Sequence, residues 1–356
     1  MRTFLLAAAL VALTGASLFA QAQKVSNGDG YVANLRQITS VGEKSGEGYF
    51  SPDGKHVVYQ SVQEGCPHYQ IYSLSLAGGK PKLLSPGQGL TTCAYFHPTN
   101  QTVLFASTHH DEASHVPPPK TGGRYVWDKH KSFEIYTVQR DGTSIIRLTT
   151  APGYDAEGSY SSDGKQICFT SNRDDDLEIY VMKSDGSGQK RVTYSKGYDG
   201  GPFFSPDNKR ICFRGFRDLR PEMSRYAQIY TIGVDGKNER QHTFNTAVNW
   251  APYYHPGGKY MAYCTNIGGH RNFEIILLRL SDSHIVRLTT DSGADVMPVF
   301  SPNGKKIMWT TTRYGGRSQL VLADFTMPPA SAFVPPMKDD PNAKTRPKGT
   351  RGTEKY

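Results

Sequence analysis

The sequence lacks the short motifs that usually mark an enzyme of recognisable chemistry. It has no Gly-x-Ser-x-Gly nucleophile motif, no phosphate-binding Gly-x-x-x-x-Gly-Lys-Ser/Thr loop, no His-Glu-x-x-His and no Cys-x-x-Cys. Peptidase, nucleotide and zinc chemistry therefore have no support in the sequence. We expect neither a cofactor nor a bound metal.

Long apolar segments are also scarce, which argues against a membrane-spanning protein. An N-terminal apolar run at residues 4–13 follows Arg2 and is succeeded by Ala-Gln-Ala at 20–22, a small-x-small pattern that signal peptidases cleave. The run is shorter than the roughly 20 residues that cross a bilayer. We predict a signal peptide over residues 1–22, a periplasmic or secreted protein, and no transmembrane span.

Basic residues are in excess, but not in the pattern of a nucleic-acid-binding protein. The chain carries 41 Lys and Arg against 32 Asp and Glu, for a formal net charge of +9. Residues 338–356 hold six of the basic and three of the acidic residues, and the body has no Lys/Arg stripe. We expect no nucleic-acid partner. Residues 328–356 are predicted to be a disordered, Pro/Lys-rich tail, with contact to an anionic surface as its alternative role.

One motif is present six times. Each copy has an aromatic residue, a turn of the Ser-Pro-Asp-Gly kind and a run of alternating or β-branched residues, which is the pattern of a β-hairpin. The copies start 44 to 64 residues apart, which is typical of four-stranded propeller blades. We predict an all-β, six-bladed β-propeller over residues 32–327, with four antiparallel strands per blade. The copies start at Phe50, Phe96, Tyr160, Phe204, Tyr254 and Phe300.

The two ends of the repeat predict how the ring closes. The sixth blade supplies three strands before the chain becomes Pro-rich near residue 327. The segment Leu-Arg-Gln-Ile-Thr at residues 35–39, which matches the fourth strands of other blades, precedes the first copy instead. We expect this N-terminal strand to pair with residues 318–324 and complete the last blade, which leaves no open sheet edge.

These repeats resemble the WD40-like, Pro-Asp-containing blades of the TolB-like propeller family, over about residues 32–325. The blade joints carry the resemblance as well as the motifs. An N-terminal α/β domain like that of TolB is not expected, because only residues 23–31 separate the signal peptide from the first strand. The most similar joints are GEGYFSPDGK, GYDAEGSYSSDGK and GYDGGPFFSPDNK.

The resemblance implies a binding module rather than an enzyme. Its partner would be an envelope protein or peptide, such as a peptidoglycan-associated lipoprotein in a Tol–Pal-like system, and the module is expected to be a monomer. Propellers with similar blades include oligogalacturonate lyases. A polysaccharide lyase or hydrolase with a metal in the channel mouth is therefore the alternative, and a convergent set of His and Gln ligands would distinguish it.

Five cysteines in an exported protein permit disulfides and leave at least one thiol over. Cys66 follows the second strand of blade one, and Cys93 lies in the joint that enters blade two, so both are expected on one face. We predict a Cys66–Cys93 disulfide. Cys168, Cys212 and Cys264 fall within second strands, where they are expected to be small buried side chains.

A histidine cluster opens the longest insertion, residues 108–131. His109, His110 and His115 are residue types that bind a divalent metal. The insertion also contains three consecutive prolines, and nothing in it fixes a ligand geometry. We interpret it as a solvated loop that contributes to the binding face.

Charged residues recur at fixed positions of the repeat. In three blades an Asp precedes the inner strand, and an Arg follows the second strand 13 residues after the motif aromatic. Both positions belong to the face that carries the blade joints and the loops between second and third strands, here called the mouth face. We predict a binding rim there; the alternative is that each Asp and Arg pair locally. The rim comprises Asp155, Asp199, Asp295, Arg173, Arg217, Arg313, Tyr154, Tyr198, Trp250, His109 and His110.

Overall fold

The computed structural model describes residues 30–63, 65–115, 130–217, 226–269 and 272–336. Within these ranges the chain forms 24 strands in six four-stranded antiparallel sheets and two short 3-10 helices, η1 (Glu112–His115) and η2 (Ala330–Ala332). The predicted six-bladed propeller is confirmed. No helix in these ranges has the length and hydropathy needed to cross a membrane. The predicted signal peptide lies outside the described residues.

The blades follow one another along the chain, and the first strand of each lies at the central channel. Blade one contains β2 (Lys44–Phe50), β3 (His56–Val62), β4 (Gln70–Ser75) and β5 (Lys82–Leu83). Blade two contains β6 (Thr91–Phe96), β7 (Thr102–Ser107), β8 (Glu134–Gln139) and β9 (Ile146–Arg147). Blade three contains β10 (Asp155–Tyr160), β11 (Gln166–Ser171), β12 (Glu178–Lys183) and β13 (Lys190–Arg191).

The remaining blades have the same order of strands. Blade four contains β14 (Tyr198–Phe204), β15 (Arg210–Phe216), β16 (Gln228–Gly233) and β17 (Arg240–Gln241). Blade five contains β18 (Asn249–Tyr254), β19 (Tyr260–Thr265), β20 (Glu274–Arg279) and β21 (Ile285–Arg287). Blade six contains β22 (Asp295–Phe300), β23 (Lys306–Thr311), β24 (Gln319–Phe325) and, as its outer strand, β1 (Val32–Gln37).

The repeated motif forms the hairpin between the first and second strands. In blade one, Ser51 Oγ donates to Asp53 Oδ1 (2.5 Å), and the Lys55 N–H donates to the same oxygen (3.0 Å). Gly54 has a φ of +67°, which glycine adopts without steric cost. Because the same Ser-to-Asp or Ser-to-Asn bond closes the hairpins of blades three, four and six, the motif is a self-stabilised turn.

The ring closes as the sequence predicts. β1 pairs antiparallel with β24, and Val32 lies opposite Phe325. Beyond β1, the Ile38 N–H donates to the Leu320 carbonyl (2.9 Å), and Thr39 Oγ1 donates to Gln319 Oε1 (2.7 Å). The sixth sheet therefore joins both ends of the propeller.

The hydrophobic core lies between neighbouring blades, and second strands are buried on both faces. Ile211 and Phe213 of β15 pack against blade three, whereas Cys212 points the other way and packs against blade five. Cys168, Cys212 and Cys264 have no exposed surface. Their predicted role as small buried side chains is confirmed.

The chain stays on the propeller beyond residue 328, where the sequence predicts that the disordered tail begins. Phe333 is buried against blades five and six, and its ring lies 5.3 Å from that of Tyr260. Val334 pairs with Ile285 through two backbone hydrogen bonds (2.8 and 3.1 Å). The predicted boundary is therefore too early, because a buried aromatic residue anchors residues 330–334. Residues 337–356 lie outside the described part of the chain.

Candidate functional site

The inner strand of every blade carries a β-bulge at the same place. Two inner-strand residues face a single residue of the second strand. The first residue of each bulge has a positive φ, between 48° and 61°. For a residue other than glycine this conformation costs about 1 kcal/mol or more and concentrates at functional sites. All six residues line one cavity, and we call them the bulge ring: Glu47, Cys93, Glu157, Gly201, Ala251 and Met297.

An aromatic plug closes the channel on one side of the bulge ring. Its members, Tyr49, Tyr95, Phe203 and Tyr253, each directly precede a motif aromatic, and the ring centroids of contacting pairs lie 5.0–6.2 Å apart. The hydroxyls of Tyr95 and Tyr253 are 3.0 Å apart. The plug is nearer to the first hairpins than the bulge ring is. The cavity therefore lies towards the mouth face.

Glu157 is a buried carboxylate whose hydrogen bonds are all supplied by the protein. Its Oε1 accepts from Arg214 Nη2 (2.7 Å) and Tyr198 Oη (2.8 Å). Its Oε2 accepts from Thr170 Oγ1 and the Gly201 N–H, both at 2.7 Å. Burial alone would raise the pKa of Glu157, but Arg214 and these hydrogen bonds outweigh it and lower the pKa. Glu157 and Arg214 therefore form a fixed, internally neutralised pair.

Glu47 occupies the equivalent position in blade one but lacks such partners. Its residue is 7% exposed, its backbone N–H donates to Thr310 Oγ1 (3.0 Å), and its Oε1 accepts a long bond from Tyr49 Oη (3.4 Å). Its Oε2 is buried without a hydrogen-bond partner. Burial raises the pKa of Glu47 to about 7; the neighbouring Cys93 thiol and the charge of Arg214 act to lower it, and the charge of Glu157 adds to the increase. This carboxyl group therefore changes its charge near neutral pH.

Cys93 is a member of the bulge ring, and the predicted Cys66–Cys93 disulfide is wrong. Both are free thiols. Cys93 lies inside β6, not in the joint before it, and its Sγ is 3.3 Å from Thr92 Oγ1. Cys66 Sγ instead donates to the Gly87 carbonyl (3.6 Å). Because Cys93 points into the channel, its side chain is directed away from the loop that holds Cys66.

The predicted Asp–Arg positions form local pairs within blades three, four and six. The Oδ2–Nη2 distances are 2.6–2.7 Å, and the three Asp side chains are almost fully buried. Each guanidinium also lies over aromatic rings of its own blade, as Arg217 does over Tyr230 at 4.3 Å. Burial raises the pKa of Asp199 and of Asp295 against the opposing effect of their arginines. The geometry therefore matches local pairing of each Asp and Arg, the alternative to a binding rim. The pairs are Asp155–Arg173, Asp199–Arg217 and Asp295–Arg313.

The predicted aromatic residues of the rim occupy three different environments. Tyr154 is buried and packs edge-on against Phe133 at 5.6 Å. Tyr198 stacks on Phe216 (5.8 Å) and belongs to the Glu157 hydrogen-bond network. Trp250 is half-buried and lines the cavity. Trp250 and Tyr198 therefore belong to one site, and Tyr154 supports the blade behind it.

The histidines at the start of the insertion pack against blade two. The ring of His109 lies 4.4 Å from that of Tyr136, whose hydroxyl is 2.7 Å from His110 Nδ1. Burial lowers the pKa of both, to about 4 for His109. Across the ranges that the structure describes, no three His, Cys, Asp or Glu side chains converge to hold a metal. Residues 116–129 of the insertion lie outside those ranges.

The charged residues of the cavity were missed from the sequence, although a signal for two of them exists. Glu-Gly occurs three residues before the motif aromatic in blades one and three. The Glu enters the channel, while the Gly faces the preceding blade: a Cβ on Gly48 would lie 2.7 Å from Leu320, and one on Gly158 would lie 2.8 Å from Leu104. The repeated dipeptide therefore reports both an acidic channel position and a tight contact between blades.

The fold and this cavity define the class of the protein as a six-bladed β-propeller with a charged, aromatic-walled site at its channel mouth. Residues 172–328 match the family model of the TolB β-propeller domain. A protein from Agrobacterium tumefaciens assigned as TolB is 21% identical, with a TM-score of 0.55 over 80% of this chain and 91% of that one. These matches confirm the resemblance to TolB-like propellers that the repeats indicated.

Two other solved structures have comparable similarity. TolB from Acinetobacter baumannii is 19% identical, with a TM-score of 0.55, and the match covers 79% of this chain and 64% of that one. An oligogalacturonate lyase from Vibrio parahaemolyticus is 14% identical, with a TM-score of 0.54 over 87% of this chain and 97% of that one. At these identities the similarity establishes the fold alone.

Proposed function

We propose that the protein is a periplasmic binding module that holds an envelope protein or peptide at its mouth face, in a Tol–Pal-like role with a peptidoglycan-associated lipoprotein as the model partner. The observation that carries the proposal is the cavity at the bulge ring, which is lined by Trp250, Tyr49 and Phe203 and contains a carboxyl oxygen of Glu47 that has no hydrogen-bond partner. A concave site with aromatic walls and few polar groups is typical of ligand binding.

Two exposed aromatic residues extend this site across the mouth face. Tyr194 and Phe244 directly follow the Thr that recurs after the fourth strands, in blades three and four, and they are 72% and 58% exposed. Both begin a joint to the next blade, so both lie on the mouth face. Exposed aromatic side chains contribute strongly to protein interfaces. They support a macromolecular partner that covers more than the cavity.

The alternative function, a polysaccharide lyase or hydrolase with a metal in the mouth, has less support. Such a site needs several metal ligands directed at one point, and the described ranges contain no such group. Glu157 is also committed to Arg214 and three other donors. The similarity in fold to both TolB and an oligogalacturonate lyase does not decide between the two classes.

Enrichment of partners from an envelope extract tests the proposal. The immobilised protein, starting at residue 23, is compared with the double variant Tyr194→Ala/Phe244→Ala. The matched control is Leu83→Ala/Ile146→Ala, which removes two side chains of similar exposure, 42% and 57%, from the fourth strands of blades one and two.

We expect the wild type and the control to retain the same protein and the Tyr194/Phe244 variant to lose it. Chemical cross-linking should place the retained protein at the mouth face. Equal retention by all three proteins, or loss only in the control, contradicts the assignment of the mouth face. Turnover of polygalacturonate by the purified protein would favour the lyase alternative instead.

A further inference from the structure

The carboxyl group of Glu47 has an oxygen that the folded protein leaves without a partner. Buried carboxyl oxygens are normally hydrogen-bonded, because an unsatisfied buried group costs about 1–3 kcal/mol. Here the residue is 93% buried, yet its Oε2 makes no hydrogen bond and its side chain lines the cavity. The backbone conformation of the bulge at Glu47, with a φ of 48°, directs the carboxyl group into the cavity. A ligand that donates hydrogen bonds would satisfy it.

The charges of the cavity favour a cation as that ligand. Glu157 and Arg214 neutralise each other at 2.7 Å, so Glu47 is the acid in the cavity lining that lacks a counter-ion. An inorganic divalent cation requires several oxygen ligands, whereas the described ranges contain no convergent group of three ligands. An organic cation with its own hydrogen-bond donors fits one carboxylate.

The walls of the cavity are suited to an ammonium group on an alkyl chain. Tyr49, Phe203 and Trp250 line it together with Glu47. Aromatic faces attract an ammonium group, and desolvation strengthens that attraction. The methylene groups of a lysine side chain would contact the same apolar walls. Carboxylate and aromatic groups in one cavity therefore recognise both parts of such a ligand.

We propose that the mouth cavity binds a primary ammonium group of a polypeptide, either a lysine side chain or a free N-terminus, with Glu47 as its counter-ion. This inference rests on the proposed binding function and names the chemical group that the cavity accepts. Trp250 forms part of the wall, next to Arg214 of the Glu157–Arg214 pair, which lines the same cavity.

Binding depends on pH, because the cation requires the ionised form of Glu47. With a pKa of about 7, the ionised fraction of Glu47 rises about tenfold between pH 6 and pH 8. Affinity should rise with it, and binding near neutral pH should release a proton. The titratable and charged groups that act on Glu47 come from several elements, namely Tyr49, Tyr69, Cys93, Glu157 and Arg214.

Titration of the folded protein with small probes tests this inference. Nα-acetyl-lysine amide presents the side-chain ammonium and alaninamide presents an α-ammonium, while Nα-acetyl-norleucine amide is the neutral control. We expect saturable binding of at least one amine, weaker or no binding of the norleucine probe, and an affinity for the lysine probe that rises about tenfold from pH 6 to pH 8. The better of the two amines identifies the source of the ammonium group.

Glu47→Gln should lower amine affinity at pH 8 by about tenfold or more, since an ion pair becomes a neutral contact, and should abolish the pH dependence. Lys165→Glu, in an exposed hairpin on the opposite face, should change neither. Trp250→Ala is the second variant and should weaken binding without removing the pH dependence. Equal affinity for the neutral probe, or an unchanged pH profile in Glu47→Gln, overturns the inference.

The two proposals fail separately. If the envelope partner is retained through Tyr194 and Phe244 but no amine binds, the ammonium site is wrong and the binding function stands. If amines bind through Glu47 but no envelope partner is retained, the ammonium site stands and the proposed binding of an envelope partner is wrong.

Discussion

Replacing Glu47 with Gln should stabilise the folded protein at alkaline pH and change its stability little at acidic pH. Burial raises the pKa of this carboxyl group from 4.5 to about 7. The folded state therefore holds the proton more tightly than the unfolded state does. The wild type loses stability as the pH rises from 4.5 to about 7, because in this range the unfolded chain binds fewer protons than the folded protein does. Gln has a similar shape and does not titrate.

The change in the pKa of Glu47 also gives the size of the expected difference in the free energy of unfolding. A change in pKa from 4.5 to about 7 corresponds to about 3 kcal/mol, at about 1.4 kcal/mol per pH unit. We expect the free energy of unfolding of Glu47→Gln to exceed that of the wild type by about 3 kcal/mol near pH 8.5 and by about 1 kcal/mol or less near pH 5.

Equilibrium urea unfolding, followed by tryptophan fluorescence at both pH values, measures this difference. Glu157→Gln is the matched control, for which we expect a change in stability of the opposite sign. Its carboxylate has a lowered pKa and stabilises the fold above the ordinary Glu pKa of 4.5, so its replacement should destabilise the protein near pH 8.5. The same difference at both pH values, or a Glu47→Gln variant that is less stable near pH 8.5, would refute the reasoning.

Three further predictions concern the scaffold. Arg214→Met should cost about 3–5 kcal/mol in urea unfolding, because it leaves Glu157 buried without its counter-ion; the double variant with Glu157→Gln should recover part of this loss, and a purely additive loss would contradict the pairing. Intact mass under non-reducing conditions should show no Cys66–Cys93 bond, and iodoacetamide should label Cys66 before Cys93, whose thiol pKa is raised by burial. Deleting residues 30–41 should lower the melting temperature and expose β24 to proteolysis; an unchanged melting temperature would show that β1 is dispensable.

The fold was predictable because its signals are local and repeated. The turn chemistry of Ser51 to Lys55 lies within five residues, and six copies define six blades. Closure by β1 was predictable as well, because the sixth blade lacked a fourth strand at the C-terminal end of the repeats and a matching strand preceded the first copy. These inferences needed only the order of strands along the chain.

The site was less predictable because its members come from different blades. Glu47, Glu157 and Arg214 meet only after the inner strands bulge at positions that the hairpin motif does not specify. Cys93 was placed in a loop although it lies in β6, which reversed the expected direction of its side chain. The Asp and Arg positions recur with the repeat, but in the folded protein each Asp is buried and pairs with the Arg of its own blade.

The closure of blade six also determines when the ring can be completed during folding. Blades one to five each consist of one continuous stretch of chain, as blade one does between residues 44 and 83. The β1–β24 pair joins Val32 to Phe325, 293 positions apart. Loop-closure entropy opposes such a distant contact, and contacts of this kind slow folding. A chain that emerges from its N-terminus must therefore keep β1 unpaired until the last blade has appeared, and this strand is the element that most needs protection from wrong partners.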